Sequence, residues 1–152
     1  MNKLLWIHVG CMLLSYIAFL AACVSSALFL IQERQLKRKR IGSLFHRLPS
    51  LDALDRFSLL CVSAGFALLS IGTLLGFVSA KRVLGHWWTG DPKEVMTIGL
   101  WGWYFVLWAV RARSTLRGRR VALLSVLGFG VFIFTWIGTT LLLSSLHPYR
   151  TI

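Results

Sequence analysis

Four apolar segments, residues 4–31, 57–80, 95–110 and 121–146, take up most of this 152-residue chain and constrain its fold more than any other feature. A helix that crosses a bilayer needs about 20 apolar residues. The first, second and fourth segments reach that length; the third approaches it when counted from Pro92. Lipid offers no partner to an unpaired backbone N–H or C=O, so segments that cross must be helical. With 57% hydrophobic and only 14% charged residues, the composition leaves no room for a soluble domain. We expect an all-α integral membrane protein: a single domain over 1–152 with four transmembrane helices, roughly 4–31, 57–80, 92–110 and 121–146. The first apolar run is too long for a signal peptide, and only Lys3 precedes it as a cation, so it reads as a permanent helix.

Charge orients the bundle. The formal net charge is +12. Arg34, Lys37, Arg38, Lys39, Arg40 and Arg47 follow the first segment, and Arg111, Arg113, Arg117, Arg119 and Arg120 follow the third. Cationic loops beside membrane spans stay in the cytoplasm, which places the chain in the cytoplasmic (cell) membrane. The N-terminus, the 81–93 loop and the C-terminal tail then face the extracytoplasmic side. Topology and anionic lipid account for these charges better than nucleic acid does, so no nucleic-acid partner is expected.

Ser50 before Leu51-Asp52-Ala53-Leu54-Asp55 predicts a capped, short interfacial helix feeding the second span, and His46 among the preceding cations reads as solvated or lipid-facing. Ser58, Gly65, Gly72 and Ser79 recur every seven residues, with Gly76 four beyond Gly72, a small-residue stripe suited to close helix packing. Trp101, Tyr104 and Trp108 share one face of the third helix, pointing to helix packing or to an extended aromatic platform; Trp103 points elsewhere.

The predicted topology gathers three distant segments on one face: His8, the loop with Trp87, Trp88 and Asp91, and His147. Each has an ordinary reading. Trp87 and Trp88 suit an interfacial aromatic belt. Asp91, Pro92 and Glu94 suit the start of a helix. A single boundary histidine is usually just polar. Together, two imidazoles from different helices can reach opposite sides of one haem iron, while the Trp pair stacks on the porphyrin edge. Lys81, Arg82, Lys93 and Arg150, on the side where cations are disfavoured, are then candidate partners of the haem propionates, or else they snorkel at the interface. Cys11, Cys23 and Cys61 lie inside apolar spans without a Cys-x-x-Cys pair, so neither a disulfide framework nor a thiol relay is expected. There is no phosphate-binding glycine loop and no acid inside a span, which argues against nucleotide chemistry and proton-coupled transport.

A set of motifs in order along the chain carries a resemblance: Trp6-Ile7-His8-Val9, Leu48 through Asp55, Gly72-Thr73-Leu74-Leu75-Gly76, Gly85 through Glu94, Arg117-Gly118-Arg119-Arg120 and Leu146-His147-Pro148-Tyr149. The chain resembles the C-terminal part of the cytochrome c assembly family, the haem-handling membrane proteins of the CcsA, ResC and CcmC type. The resemblance implies haem b held at the outer face beneath a tryptophan-rich loop, with His8 and His147 as axial ligands. It further implies haem presentation to an apocytochrome c, within a haem-ligating (synthase) complex that includes a ResB/CcsB-like membrane subunit. Gly90 stands where the family usually has another Trp, which removes stacking surface. Ala109-Val110-Arg111 lacks the intramembrane His that CcsA-type members carry before an Arg, which argues against an inner haem site. Family members also have further N-terminal helices, expected here from a partner unless the chain is a reduced or split member. Two alternatives stay open: a structural subunit without haem, and haem export without ligation.

Overall fold

The structure, a computed structural model, describes residues 3–39, 47–85, 87, 92–113 and 118–146; the side chains of 83–84, 93, 135 and 138–146 lie outside that description. Four helices follow one another: α1 (Lys3–Lys37), α2 (Leu51–Leu84), α3 (Pro92–Ala112) and α4 (Arg119–Leu146). Among the described residues, three helices are long and apolar enough to cross a membrane, one each within α1, α2 and α3.

Both long helices outrun the bilayer. At a rise of about 1.5 Å per residue, the 35 residues of α1 extend roughly 52 Å, against a hydrocarbon core of about 30 Å. Part of the surplus is the charged stretch up to Lys37, where a Glu33–Lys37 pair at 2.7 Å continues the helix past the apolar run. The expected separate interfacial helix is instead the first turns of a continuous 34-residue α2. Ser50 does cap it, its hydroxyl accepting from the Ala53 N–H at 3.3 Å. No Gly or Pro interrupts residues 51–57, so nothing ends the helix before the apolar segment takes over.

α1 and α2 pack antiparallel, and the small-residue stripe of α2 sets their register. Ser58 meets Ser26 (Oγ–Oγ 2.9 Å), Gly65 receives Phe19, Gly72 receives Met12, and Gly76 receives His8. A Cβ built at Gly65 would lie 2.6 Å from Phe19 Cε1, and one at Gly72 2.8 Å from Met12 Sδ, so only glycine admits these side chains. Lipid supplies no hydrophobic drive between spans, so such close backbone approach, with its dispersion contacts, is what holds them together.

α3 closes on this pair through aromatics. Tyr104 is buried and stacks on Phe19 with ring centroids 3.5 Å apart. Trp108 stacks on Phe66, and the Trp101 indole N–H donates to Ser70 Oγ at 2.9 Å. The Trp101–Tyr104–Trp108 face is therefore ordinary helix packing. Trp103 does point elsewhere, lying against Gly128 of α4. The first turns of α4 pack on Phe29 of α1 and Leu54 of α2 through Ala122.

The ends of α1 and α3 and the starts of α2 and α4 share one end of the bundle, so the described cations of both basic clusters gather there. Arg111 is not one of the solvated charges the sequence suggests. It is buried, donating to Asp55 Oδ1 and the Asp55 carbonyl (both 2.8 Å) and to Ser58 Oγ (3.0 Å). Ser58 also contacts Ser26, and Ser25 donates to the Leu54 carbonyl at 2.8 Å. One guanidinium thus bolts α3 to α2, and through Ser58 to α1.

Candidate functional site

The opposite end carries the candidate site. His8 lies in the second turn of α1, where its Nδ1 is 2.6 Å from the Gly72 carbonyl oxygen of α2. A carbonyl only accepts, so Nδ1–H is the donor in this bond. The ring fits there because Gly76 has no side chain: a Cβ at that position would lie 2.9 Å from His8 Cε1 and 3.2 Å from Nδ1. Anchoring one ring nitrogen to backbone fixes the orientation of the imidazole.

His8 lines a pocket of about 220 Å³ between α1, α2 and α3, with Met12, Thr73, Phe77, Glu94 and Thr97 among its walls. Among the described residues no three His, Cys, Asp or Glu side chains converge to chelate a metal ion. The pocket thus offers one imidazole rather than a chelating set. Across Thr97, a second cavity of about 380 Å³ lies between α3 and α4, walled by Tyr16, Trp103, Phe132 and Trp136. Sequence reading missed this aromatic cavity because its residues come from three helices. It also read Glu94 only as a capping residue; the signal available was that Asp91 and Glu94 are the two acids of that loop.

Lys81 and Trp87 come together directly. Gly85 ends α2 in the left-handed conformation (φ 76°), its N–H donating to the Lys81 carbonyl at 3.1 Å, and the chain turns back. Trp87 then lies under the Lys81 ammonium, 4.0 Å from ring centroid to Nζ. The Trp87 ring stays 54% exposed, an accessible aromatic face carrying a cation. Arg82, the next residue after Lys81, is exposed. Lys93 is placed in the first turn of α3, with its side chain outside the description. Trp88, Gly90, Asp91, His147 and Arg150, like His46, lie outside the described residues.

Three apolar helices, glycine-mediated packing and one backbone-anchored histidine at the end opposite the Arg111–Asp55 pair define a polytopic helical membrane protein. The family described as "Cytochrome C assembly protein" matches residues 1–147, and the chain belongs to it. It is 32% identical over 163 residues to a cytochrome c biogenesis protein CcsA of Synechococcus sp. (strain CC9902), covering 93% of this chain and 54% of that one. It is 37% identical over 98 residues to the CcsA of Prochlorococcus marinus (strain NATL1A), covering 64% of this chain and 31% of that one. With the CcsA of Nymphaea alba the identity is 28% over 170 residues, covering 97% of this chain and 55% of the relative. The chain thus spans about half the length, or less, of these relatives. No solved structure matches it.

Proposed function

We propose that this chain acts in cytochrome c biogenesis by holding haem b at the end of the bundle opposite the basic loops and presenting it to an apocytochrome c. In this reading α4 is a fourth crossing, and both termini and the 81–93 loop face the extracytoplasmic side of the cytoplasmic membrane. His8 and His147 are the axial ligands. Trp87 and Trp88, with Asp91, form the shelf, and Lys81, Arg82, Lys93 and Arg150 receive the propionates. A ResB/CcsB-like membrane subunit completes the ligating complex.

The hydrogen bond from His8 Nδ1–H to the Gly72 carbonyl carries the proposal. It selects the tautomer that a haem ligand requires and holds the ring rigidly against α2, so coordination orders little that is not already ordered. The Lys81–Trp87 contact supports the shelf by combining a flat apolar face with a positive charge. Haem, as cargo, brings the vinyl groups to which apocytochrome thiols add. The contribution of the chain is to grip the macrocycle by its iron and its acidic edge.

The test is an absorption spectrum of the protein purified in mild detergent from haem-replete cells. A six-coordinate low-spin Soret band with sharp α and β bands is expected. His8→Ala and His147→Ala should each shift those bands or lose the pigment, with imidazole in the buffer restoring the six-coordinate spectrum, and His46→Ala should leave it intact. Colourless wild-type protein from such cells overturns the haem reading in favour of a structural subunit.

A further inference from the structure

At the basic end, away from the candidate haem site, a groove of about 850 Å³ runs between α1 and α4. Its walls change character along the helix axis. Arg34, Lys37, Arg38 and Arg119 form the rim, while Leu30, Ile31, Leu123 and Val126 line it further toward the middle of the bundle. From Ala27, its innermost α1 residue, to Arg38 is eleven positions, or about 16 Å of helix. The groove is cationic at one end and apolar over the rest, on the outside of a membrane-spanning bundle.

The rim charge is only partly cancelled from within. Glu33 also lines the groove and binds Lys37 at 2.7 Å, so that pair is self-neutralising. Among the described residues no carboxylate pairs with Arg34, Arg38 or Arg119. Arg119 opens α4, where the first backbone N–H groups and the positive end of the helix dipole add to its charge. Gln35 lines the groove as well, and its buried Oε1 accepts from no donor among the described residues. A buried carbonyl oxygen left in that state seeks a donor.

We infer that this groove is a binding site for an anionic phospholipid of the leaflet at the basic end, with its phosphate at the Arg34–Arg38–Arg119 rim, a headgroup hydroxyl donating to Gln35 and an acyl chain along Leu30, Leu123 and Val126. Charge complementarity selects the anion. The apolar length selects a lipid over free phosphate, and the orphaned acceptor selects a headgroup with hydroxyls, such as glycerol. A lipid seated there fills the seam between α1 and α4 beside the Phe29–Ala122 contact.

The full chain, purified in detergent and exchanged into phosphatidylglycerol or phosphatidylcholine micelles, is assayed by native mass spectrometry for retained lipid. Wild type should retain phosphatidylglycerol at least tenfold better than phosphatidylcholine, and millimolar inorganic phosphate should not displace it. The triple variant Arg34→Gln/Arg38→Gln/Arg119→Gln should lose that preference. Leu123→Trp, which fills the apolar part and keeps every charge, should lose retention with unchanged helical circular dichroism. Arg56→Gln/Arg113→Gln, which removes two exposed cations from the same end but outside the groove, should behave as wild type. Equal retention of the two lipids, displacement by inorganic phosphate, retention unaffected by Leu123→Trp, or an equal loss in the Arg56/Arg113 control each overturns the assignment. If the triple variant does not fold, the lipid comparison on wild type and the Leu123→Trp result still decide it.

Discussion

Gly76→Ala isolates the link between packing and ligation. The added methyl would sit 2.9 Å from His8 Cε1 and 3.2 Å from Nδ1, closer than side-chain carbons tolerate. The ring cannot hold its 2.6 Å bond to the Gly72 carbonyl and also clear this methyl, so the imidazole must swing away from α2. Loss of a partner that orients a metal ligand weakens binding by about 10–100-fold, or roughly 1.4–2.7 kcal/mol. Global stability should change far less, because a helix-interior Gly→Ala gains up to about 1 kcal/mol of helix propensity against a clash with one side chain. The assay titrates haem into detergent-solubilised apoprotein and follows the Soret band, with thermal unfolding of the same samples as the control. Weaker haem binding with a nearly unchanged melting temperature is expected. Wild-type haem affinity in Gly76→Ala would refute the reasoning, since it would mean the ligating nitrogen does not depend on the anchored ring.

Gly65→Ala should show the reverse pattern: its methyl meets Phe19, which Tyr104 stacks on from the other side, so overpacking should destabilise by about 1–3 kcal/mol with the haem spectrum unchanged, read by denaturant unfolding in detergent. Asp55→Ala leaves Arg111 buried without its carboxylate and should destabilise by about 3 kcal/mol, while Asp55→Ala/Arg111→Met should recover much of that loss in the same assay. With Cys11, Cys23 and Cys61 replaced by Ala, a Lys39→Cys thiol should react with a membrane-impermeant maleimide only after the membrane is opened, whereas a Trp87→Cys thiol should react in intact cells; the opposite pattern would invert the proposed orientation.

What the sequence disclosed was periodic or local. Apolar length announced the helices, Ser50 announced where α2 starts, and the seven-residue recurrence of Ser58, Gly65 and Gly72 announced the face that meets α1. What it hid was tertiary. Arg111 looks like one more topogenic cation until Asp55, 56 residues earlier, is seen to meet it. The Asp55 partnership was equally invisible, because at the start of an amphipathic turn an acid reads as a favourable helix-dipole charge. The charged tail of α1 was read as loop because hydropathy falls after Ile31, yet Gln32 donates to the Pro49 carbonyl at 3.2 Å and Glu33 pairs with Lys37, keeping the helix intact. At the candidate site, His8 and Trp87 could be named from residue type and topology. The pairing of His8 with Gly72, the contact of Lys81 with Trp87 and the presence of Glu94 in the pocket required the register of α1 on α2 and the turn at Gly85.

That register ties the two ends of the molecule together. Ser26 on Ser58, Phe19 on Gly65, Met12 on Gly72 and His8 on Gly76 are steps of one antiparallel alignment. At the basic end the alignment is fixed by the Arg111–Asp55–Ser58 cluster; at the other it sets where the imidazole meets a backbone carbonyl. Sliding α1 by even one residue would rotate His8 off the glycine face and present a neighbour of different shape to Gly65. The small-residue stripe therefore does more than allow two helices to pack. It converts helix packing into a defined ring position about 30 Å from the ion pair (18 to 21 residues of α2 at about 1.5 Å each). The imidazole thus sits on a rigid element, while Trp87 follows the turn at Gly85 with its ring exposed.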